Sequence, residues 1–297
     1  MAEPGGIISA MLTPFTSDVG PVDYEWLPRY MRFLEDSGLH GVLALGTTGE
    51  GPSMSVAERK RVLEIVLAHR GGLAVIAGTG CAALTDTIAL SDHALSQGAD
   101  AVLVMPPFYI KGPDERGVLA YFRALADTLP PGARLMLYHI PQMTGVPITT
   151  SIIEGLLESH PDRFYGIKDS SGDWDHAQML ITRFPRLRIF TGSDSLIGQA
   201  LSGGAAGAIS ALSSAFPRLT RAIYDAHYSG GDVAAAQKRL DTLRALIDPV
   251  NTPPALKAAL PWTSDLPETC VRLPLLPLPD EEVARLRAAY VGLGLAE

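Results

Sequence analysis

The sequence predicts an α/β protein, a (β/α)8 TIM barrel with a C-terminal helical extension. Short β-prone runs recur eight times over about 230 residues, and an amphipathic stretch follows each run. Such alternation predicts a parallel sheet with right-handed crossovers, and eight is the number of units that closes a barrel. A doubly wound open sheet is the alternative, because periodicity along the sequence does not show whether a sheet closes.

The strand candidates are short apolar runs bounded by turn residues. They are Ile7–Leu12, Gly41–Leu45, Ala74–Ala77, Ala101–Met105, Arg134–Tyr138, Tyr165–Lys168, Arg188–Phe190 and Ala206–Ile209. The helical segments between them include Glu25–Ser37, Val56–His69, Thr85–Gln97, Glu115–Thr128 and Ser151–Glu158. Ser55 and Glu58 have the spacing of a capping box, and Asp23 and Asp173 are predicted helix caps.

The repeat ends near Asp232, where helical segments joined by a proline-rich loop take over. The predicted helices are Val233–Ile247, Pro254–Leu260 and Asp280–Leu293. We therefore expect residues 1–230 to form the barrel and residues 231–297 to form a helical extension that packs on it.

Composition restricts the function classes. The net charge of −8 and the pI near 5.4 disfavour nucleic acid and acidic membrane surfaces as partners. The two cysteines predict neither a disulfide framework nor a thiolate metal site, and the seven histidines are scattered without a metal-ligand spacing. With no signal peptide or membrane span in the sequence, a cytoplasmic location is expected.

Lys168 is the most informative residue. It is one of five lysines, and it ends the β-prone run Phe164–Lys168 just before a turn-rich segment. An ammonium group at the end of a buried strand is costly unless it loses its charge or gains a partner. An uncharged lysine amine is the nucleophile that Schiff-base chemistry with carbonyl compounds requires.

The ends of the other predicted strands carry compatible groups. Thr47 and Thr48 lie among glycines after the second strand, Tyr109 follows the fourth strand, and Tyr138 ends the fifth. Glycines allow close approach of the backbone to a ligand, and threonine hydroxyls with backbone N–H groups can hold a carboxylate. A tyrosine near the lysine can transfer protons to and from a substrate oxygen.

Three ordered motifs resemble the dihydrodipicolinate synthase / N-acetylneuraminate lyase family. They are Gly46-Thr-Thr-Gly-Glu50, Tyr138-x-Ile-Pro141 with Thr144-Gly145, and Gly166-Ile-Lys-Asp169, and the resemblance runs from Gly6 to the C-terminal proline-rich loop.

The resemblance implies specific roles for these residues. Lys168 would form a Schiff base with pyruvate or another 2-oxo acid, and Thr48 with Thr47 would hold the carboxylate. Thr47 and Tyr138 would relay protons, with Tyr109 completing the relay across a subunit interface in a homo-oligomer, a dimer or tetramer. Two further positions, Gly192 and Ile209, match residues that line the pocket.

The resemblance also implies a lyase or aldolase that acts on small molecules, a 2-oxo acid and an aldehyde. No cofactor is expected, because the iminium on Lys168 is itself the electron sink. The candidates for contacts with the aldehyde half are His139, Gln142, Met143, Ser193 and Asp194. The favoured reaction is cleavage or formation of a 2-keto-3-deoxy sugar acid.

Three other functions remain as alternatives. One is dihydrodipicolinate synthase activity with aspartate semialdehyde, although Met143 replaces the arginine that the resemblance places there. Another is a nicotinamide-dependent dehydrogenase, because Gly78-x-Gly80-x-x-Ala83 imitates a dinucleotide fingerprint. Asp100, the acid with the required spacing, precedes its strand and is expected at the wrong edge. The last is a non-catalytic regulator that binds a keto acid.

Overall fold

The structure is a computed structural model that describes residues 3–294. Eight parallel strands form a closed barrel in the order β1 to β8, with β1 paired to both β2 and β8. The strands are β1 Gly6–Ala10, β2 Gly41–Ala44, β3 Ala74–Gly78, β4 Ala101–Val104, β5 Leu135–His139, β6 Phe164–Asp169, β7 Arg188–Thr191 and β8 Gly207–Ser210. The predicted (β/α)8 barrel is confirmed, and the open sheet is excluded.

Helices follow the strands around the outside of the barrel and continue beyond it. They are α1 Leu27–Asp36, α2 Val56–Ala68, α3 Leu84–Ser96, α4 Glu115–Thr128, α5 Pro141–Thr144, α6 Thr150–Ser159, α7 Trp174–Arg183, α8 Ile197–Ser202, α9 Pro217–Ser229, α10 Val233–Ile247, α11 Thr252–Ala259 and α12 Asp280–Gly292. The predicted segments overlap these elements, and their ends differ by up to two residues. The hydrogen bonds that define an end depend on neighbouring elements as well as on local sequence.

Alternation along the strands separates two apolar layers. Side chains that point inward fill the barrel, among them Ile8, Leu43, Ile76, Phe190 and Ile209. The residues between them point outward and join the helices in the larger apolar cluster. A parallel barrel covered by helices buries both faces of its strands, which is why the strands are nearly continuous apolar runs in the sequence.

The cap predictions have different outcomes. Ser55 and Glu58 form the expected capping box at α2, and the Asp173 carboxylate accepts from backbone N–H groups at the start of α7. Asp23 is not the cap of α1, because Trp26 occupies the cap position of that helix. Its carboxylate instead accepts a hydrogen bond of 3.3 Å from the Trp26 backbone N–H, one turn before α1 begins.

The helices of the extension pack on the barrel. In α10, Gln237 donates to the backbone carbonyl of Asp194 at 3.0 Å and accepts from the Gly198 N–H at 2.9 Å. The division of the chain at residues 230 and 231 stays a prediction. Within residues 3–294, no helix combines the length and apolar character needed to cross a membrane. The cytoplasmic location likewise stays a prediction.

Candidate active site

The register of β5 and β6 places the predicted lysine and tyrosine together. Tyr138 pairs with Lys168, and His139 pairs with Asp169. Because neighbouring residues of parallel strands share a face, Tyr138 and Lys168 both point into the barrel, while His139 and Asp169 point toward the helices. These two inward side chains lie near the carboxyl ends of their strands, where barrel enzymes carry their active sites.

The amine of Lys168 is buried and faces a phenol. The residue is 4% exposed, and its Nζ donates to the Tyr138 Oη at 3.2 Å and lies 4.4 Å from the centroid of the ring. A Cβ at position 192 would lie 3.0 Å from the Lys168 Cε and 1.9 Å from the Ser170 Oγ. Gly192 is therefore required by the close approach of these two side chains.

A tight turn after β2 presents the two threonines. The Thr47 Oγ1 lies 3.4 Å from the Tyr138 Oη, so a chain of three polar groups runs from Thr47 through Tyr138 to Lys168. The turn closes with Glu50, whose φ of 54° lies in the left-handed region. The Glu50 carboxylate forms a buried ion pair of 2.6 Å with Lys257 of α11. This ion pair connects the turn to the C-terminal extension and stabilises the left-handed conformation of Glu50.

The surroundings of the Tyr138 phenol favour its ionised form. Burial opposes its ionisation, but the positive charge of Lys168 and hydrogen bonds from Thr47 and Lys168 outweigh burial and lower the pKa of Tyr138. A phenol with a lowered pKa is a better general base near neutral pH than an ordinary tyrosine. The site thus pairs a lysine amine with a group that can accept and return protons.

These residues line a cavity of about 450 Å³ that opens at the carboxyl ends of the strands. The cavity brings together most of the residues that the sequence singled out: Thr47, Thr48, Tyr138, Gln142, Lys168, Gly192, Ser193, Asp194 and Ile209. Serine hydroxyls add to the lining through Ser170, Ser171 and Ser195. A volume of this size accommodates a small metabolite.

Three predicted site residues lie outside the cavity lining. His139 points outward, because strand alternation places it opposite Tyr138, and its Nδ1 accepts from the Ile148 N–H at 3.2 Å. Met143 is 63% exposed in the short helix α5. Tyr109 is 75% exposed in the loop after β4, next to Ile110, which is 66% exposed.

His139, Asp169 and His176 form the group of potential metal ligands found among residues 3–294. The Asp169 carboxylate already lies 2.9 Å from the His176 Nδ1 and accepts from the Ser171 N–H. Since the His139 Nδ1 accepts a backbone hydrogen bond, the neutral ring carries its proton on Nε2, the nitrogen that would have to bind an ion. Asp169 and His176 therefore form an ion pair, and the neutral His139 ring stacks on the His176 ring with 4.5 Å between the ring centroids.

Sequence reasoning missed the contribution of the extension to the cavity. Arg244 of α10, Asp248 directly after α10 and Thr252 of α11 all line it. The Arg244 guanidinium contacts the Asp248 carboxylate at 2.5 Å and the buried Asp194 carboxylate at 3.4 Å. No local motif indicates this arrangement, because it depends on how α10 packs across the barrel mouth.

Comparison with known proteins identifies the family. Residues 3–291 match the Dihydrodipicolinate synthetase family. The chain belongs to this family. An uncharacterized DapA-like lyase from Chloroflexus aurantiacus is 77% identical over 290 residues, which cover 98% of this chain and 97% of that protein.

Solved structures of family members have the same fold. YagE from E. coli K12, a prophage protein of the dihydrodipicolinic acid synthase family in complex with pyruvate, has a TM-score of 0.91 and 28% identity, covering 99% of this chain and 100% of that one. A catalytic lysine mutant of the Ruminococcus gnavus sialic acid aldolase has a TM-score of 0.90 and 27% identity, covering 98% of this chain and 96% of that one. As a member of the dihydrodipicolinate synthetase family, the chain is a lyase of the class I, Schiff-base-forming aldolase type, as the sequence predicted.

Proposed function

We propose that this lyase cleaves or forms a 2-keto-3-deoxy sugar acid through a Schiff base between Lys168 and the 2-oxo acid. The observation that carries the proposal is the contact of 3.2 Å between the buried Lys168 Nζ and the Tyr138 Oη inside the cavity. Lys257 is also buried, but its Nζ is held by the Glu50 carboxylate and the Cys270 carbonyl, each at 2.6 Å. Its amine is therefore already engaged in an ion pair.

The reaction begins with imine formation. The Lys168 Nζ attacks the C2 ketone, and the carbonyl oxygen takes a proton from Tyr138 to give a carbinolamine. The nitrogen then passes a proton to the Tyr138 phenolate, Tyr138 gives it to the carbinolamine hydroxyl, and water leaves as the nitrogen lone pair forms the iminium. Thr47 and Thr48 orient the substrate carboxylate, which places the ketone beside the amine.

Cleavage follows from the iminium. The C4 hydroxyl gives its proton to the Tyr138 phenolate, the C3–C4 bond breaks, and its electron pair moves into the iminium to form an enamine. The aldehyde half leaves, and C3 takes up the proton now held by Tyr138. Water then hydrolyses the iminium to release pyruvate and the free amine, and the proton set free returns to the Tyr138 phenolate. The lysine accepts the electron pair, so we propose that no cofactor takes part.

The exposure of Tyr109 supports a role across a subunit interface. Tyr109 and Ile110 are large apolar side chains exposed on one loop at the carboxyl end of β4. A second subunit that covers this loop would bury both side chains and bring a tyrosine toward the relay of its partner. We therefore propose that the active protein is a homo-oligomer, at least a dimer.

Borohydride reduction in the presence of pyruvate tests the function. It should leave a stable adduct on Lys168, located by peptide mass spectrometry, and Lys168→Arg should abolish it. Lys238→Arg is the matched control, because Lys238 is exposed on α10. An adduct with pyruvate release from 2-keto-3-deoxy acids supports the proposal. An adduct without turnover indicates a regulator, and the absence of an adduct rejects Schiff-base chemistry.

A further inference from the structure

We propose that the enzyme acts on 2-keto-3-deoxy sugar acids whose aldehyde half is uncharged and polyhydroxylated, and that Arg244 and Asp248 set this preference. Substrates with a phosphate or a second carboxylate at that end would be disfavoured. This inference rests on the proposed function, because it concerns the other part of the same cavity.

The part of the cavity near Thr47 and Thr48 and the part near Arg244 and Asp248 lie on different sides of the barrel. Thr47 and Thr48 follow β2. Helix α10 carries Arg244 and is followed directly by Asp248, and it packs against α9 and the residues after β7. A substrate whose carboxylate lies at the threonines and whose ketone lies at Lys168 therefore extends its remaining carbons toward α10.

The cationic and acidic side chains that line the cavity are equal in number. Among its lining residues, all within the described part of the chain, two are cationic, Lys168 and Arg244, and two are acidic, Asp194 and Asp248. Lys168 keeps its positive charge as the iminium, but this charge lies at C2, beside the carboxylate of the 2-oxo acid itself. Arg244 is contacted by both carboxylates, at 2.5 Å by Asp248 and at 3.4 Å by Asp194. A second anion on the substrate would thus meet no unpaired cation.

An anionic end would also be repelled. The Asp248 carboxylate is 57% exposed and the Arg244 side chain is 21% exposed, so the carboxylate is the more accessible charge. Asp194 is buried, and burial raises the pKa of its carboxyl group. The accessible negative charge at this end of the cavity is therefore that of Asp248. A phosphate or carboxylate beside Asp248 experiences like-charge repulsion that the engaged arginine offsets only in part.

A polyhydroxylated end finds suitable partners instead. Ser193, which follows β7, Ser195 and Thr252 line the cavity with Asp248, and Gln142 lines it from α5. Hydroxyls and amides both donate and accept hydrogen bonds, and Asp248 accepts them. Sugar hydroxyls are donors and acceptors as well, so they can replace the water that they displace without leaving a charge unpaired.

The experiment compares three substrates by the rate of pyruvate release. They are 2-keto-3-deoxygluconate, its 6-phosphate, and a 2-keto-3-deoxy acid with a terminal carboxylate. We expect kcat/KM for the neutral substrate to exceed the other two by roughly tenfold or more, which corresponds to about 1.4 kcal/mol. This is less than the Coulomb repulsion between two like unit charges in contact near a protein surface. Asp248→Asn should reduce this preference roughly tenfold, because it removes the exposed anion and leaves Arg244 paired with Asp194 alone among the carboxylates that contact it.

Asp225→Asn is the matched control. It makes the same change of charge on the exposed face of α9, where Asp225 pairs with Arg221, and should leave the preference unchanged. Equal or better turnover of the charged substrates by the wild type, or an unchanged preference in Asp248→Asn, overturns the inference. Trapping of pyruvate on the wild type separates the two proposals: an adduct with a preference for charged substrates rejects only the inference, whereas no adduct rejects the proposed function itself.

Discussion

Glu50 and Lys257, 207 positions apart in the chain, form an ion pair of 2.6 Å in which both side chains are almost fully buried. The Glu50 carboxylate also accepts from the Arg272 backbone N–H at 2.9 Å. Because Glu50 ends the turn that carries Thr47 and Thr48, this pair couples the C-terminal extension to the predicted carboxylate site.

Lys257→Met should therefore destabilise the protein and weaken pyruvate binding. Removing one partner of a buried pair leaves an uncompensated charge, which costs about 3–5 kcal/mol. We expect this loss in urea unfolding and a higher pyruvate concentration for half-maximal adduct formation. Adding Glu50→Gln should recover part of the stability. Arg183→Met, which breaks an exposed ion pair with Glu154, is the control and should cost about 1 kcal/mol or less. Unchanged unfolding of Lys257→Met would contradict the coupling.

Tyr138→Phe should slow the reaction without unfolding the protein. The phenylalanine keeps the ring in the barrel and removes only the hydroxyl that contacts Lys168 and Thr47. Loss of a general acid–base group lowers kcat by about 10²–10⁴-fold. Tyr165→Phe is the matched control, because the Tyr165 hydroxyl donates to the Pro4 carbonyl at the other end of the barrel. Comparable kcat values for the two variants would exclude Tyr138 from proton transfer.

The two threonines should be separable by the pH dependence of kcat. The Thr47 hydroxyl helps to lower the pKa of Tyr138, so Thr47→Val should raise that pKa and move the corresponding limb of the profile to higher pH. The groups that lower the pKa of Tyr138 are Lys168, Thr47 and Ser170, so Thr48→Val should raise KM for the 2-oxo acid without moving the limb. A shift of equal size in both variants would argue against a specific Thr47–Tyr138 contact.

Tyr109 offers a test of assembly. If it acts in the site of a neighbouring subunit, Tyr109→Phe and Lys168→Arg proteins should each have low activity, and mixing them under exchange conditions should restore part of it. Restoration requires a mixed oligomer in which one site has both residues intact. Analytical ultracentrifugation supplies the oligomeric state. A fully active Tyr109→Phe protein would remove this residue from the relay.

Much of the fold was predictable from the sequence, because it depends on local patterns. Eight apolar runs and their helices were recognised, and motifs at strand ends placed Lys168 and Tyr138 on one edge. The face of His139 also follows from a local rule: the residue after an inward Tyr138 must point outward. Applied to His139, this rule predicts a contact with the α5–α6 region rather than with substrate.

Other features were not predictable because they depend on packing between distant segments. Arg244 and Asp248 reach the cavity only because α10 crosses the β7–β8 side of the barrel. Lys257 resembles an ordinary helical lysine in the sequence, and its pairing with Glu50 depends on the position of α11. Neither contact leaves a spacing or composition signal within a single element.

His139 should make the stability of the protein sensitive to acid. Burial lowers the pKa of His139 below its ordinary value of 6.5, and the positive charge of the stacked His176 acts in the same direction, against the attraction of Asp169. The native state therefore keeps His139 neutral where the unfolded chain takes up a proton. As pH falls through 6.5, this difference favours unfolding, so the free energy of unfolding should decrease.

The Asp169–His176 pair acts in a different pH range. The hydrogen bond to Asp169 raises the pKa of His176 above its ordinary value of 6.5. The stability that protonated His176 contributes is therefore fully present below pH 6.5 and is lost as pH rises through the raised pKa. Burial opposes ionisation of Asp169, but hydrogen bonds from His176 and Ser171 outweigh it and lower the pKa of Asp169. The contribution of Asp169 is thus lost only as pH falls below its ordinary value of 3.8. Between pH 5 and 6.5 the His139 effect is therefore isolated from both.

His139→Asn should flatten the stability profile in that interval. Asparagine can accept the Ile148 N–H bond through its side-chain oxygen and cannot take up a proton, so the decrease on acidification should become smaller. Urea midpoints measured at several pH values give the slope directly. His69→Asn is the control, because His69 is exposed on the helical layer and its Nδ1 lies 2.9 Å from the Ile65 carbonyl oxygen in the preceding helix. A slope that His139→Asn leaves unchanged would show that the acid sensitivity arises from another group.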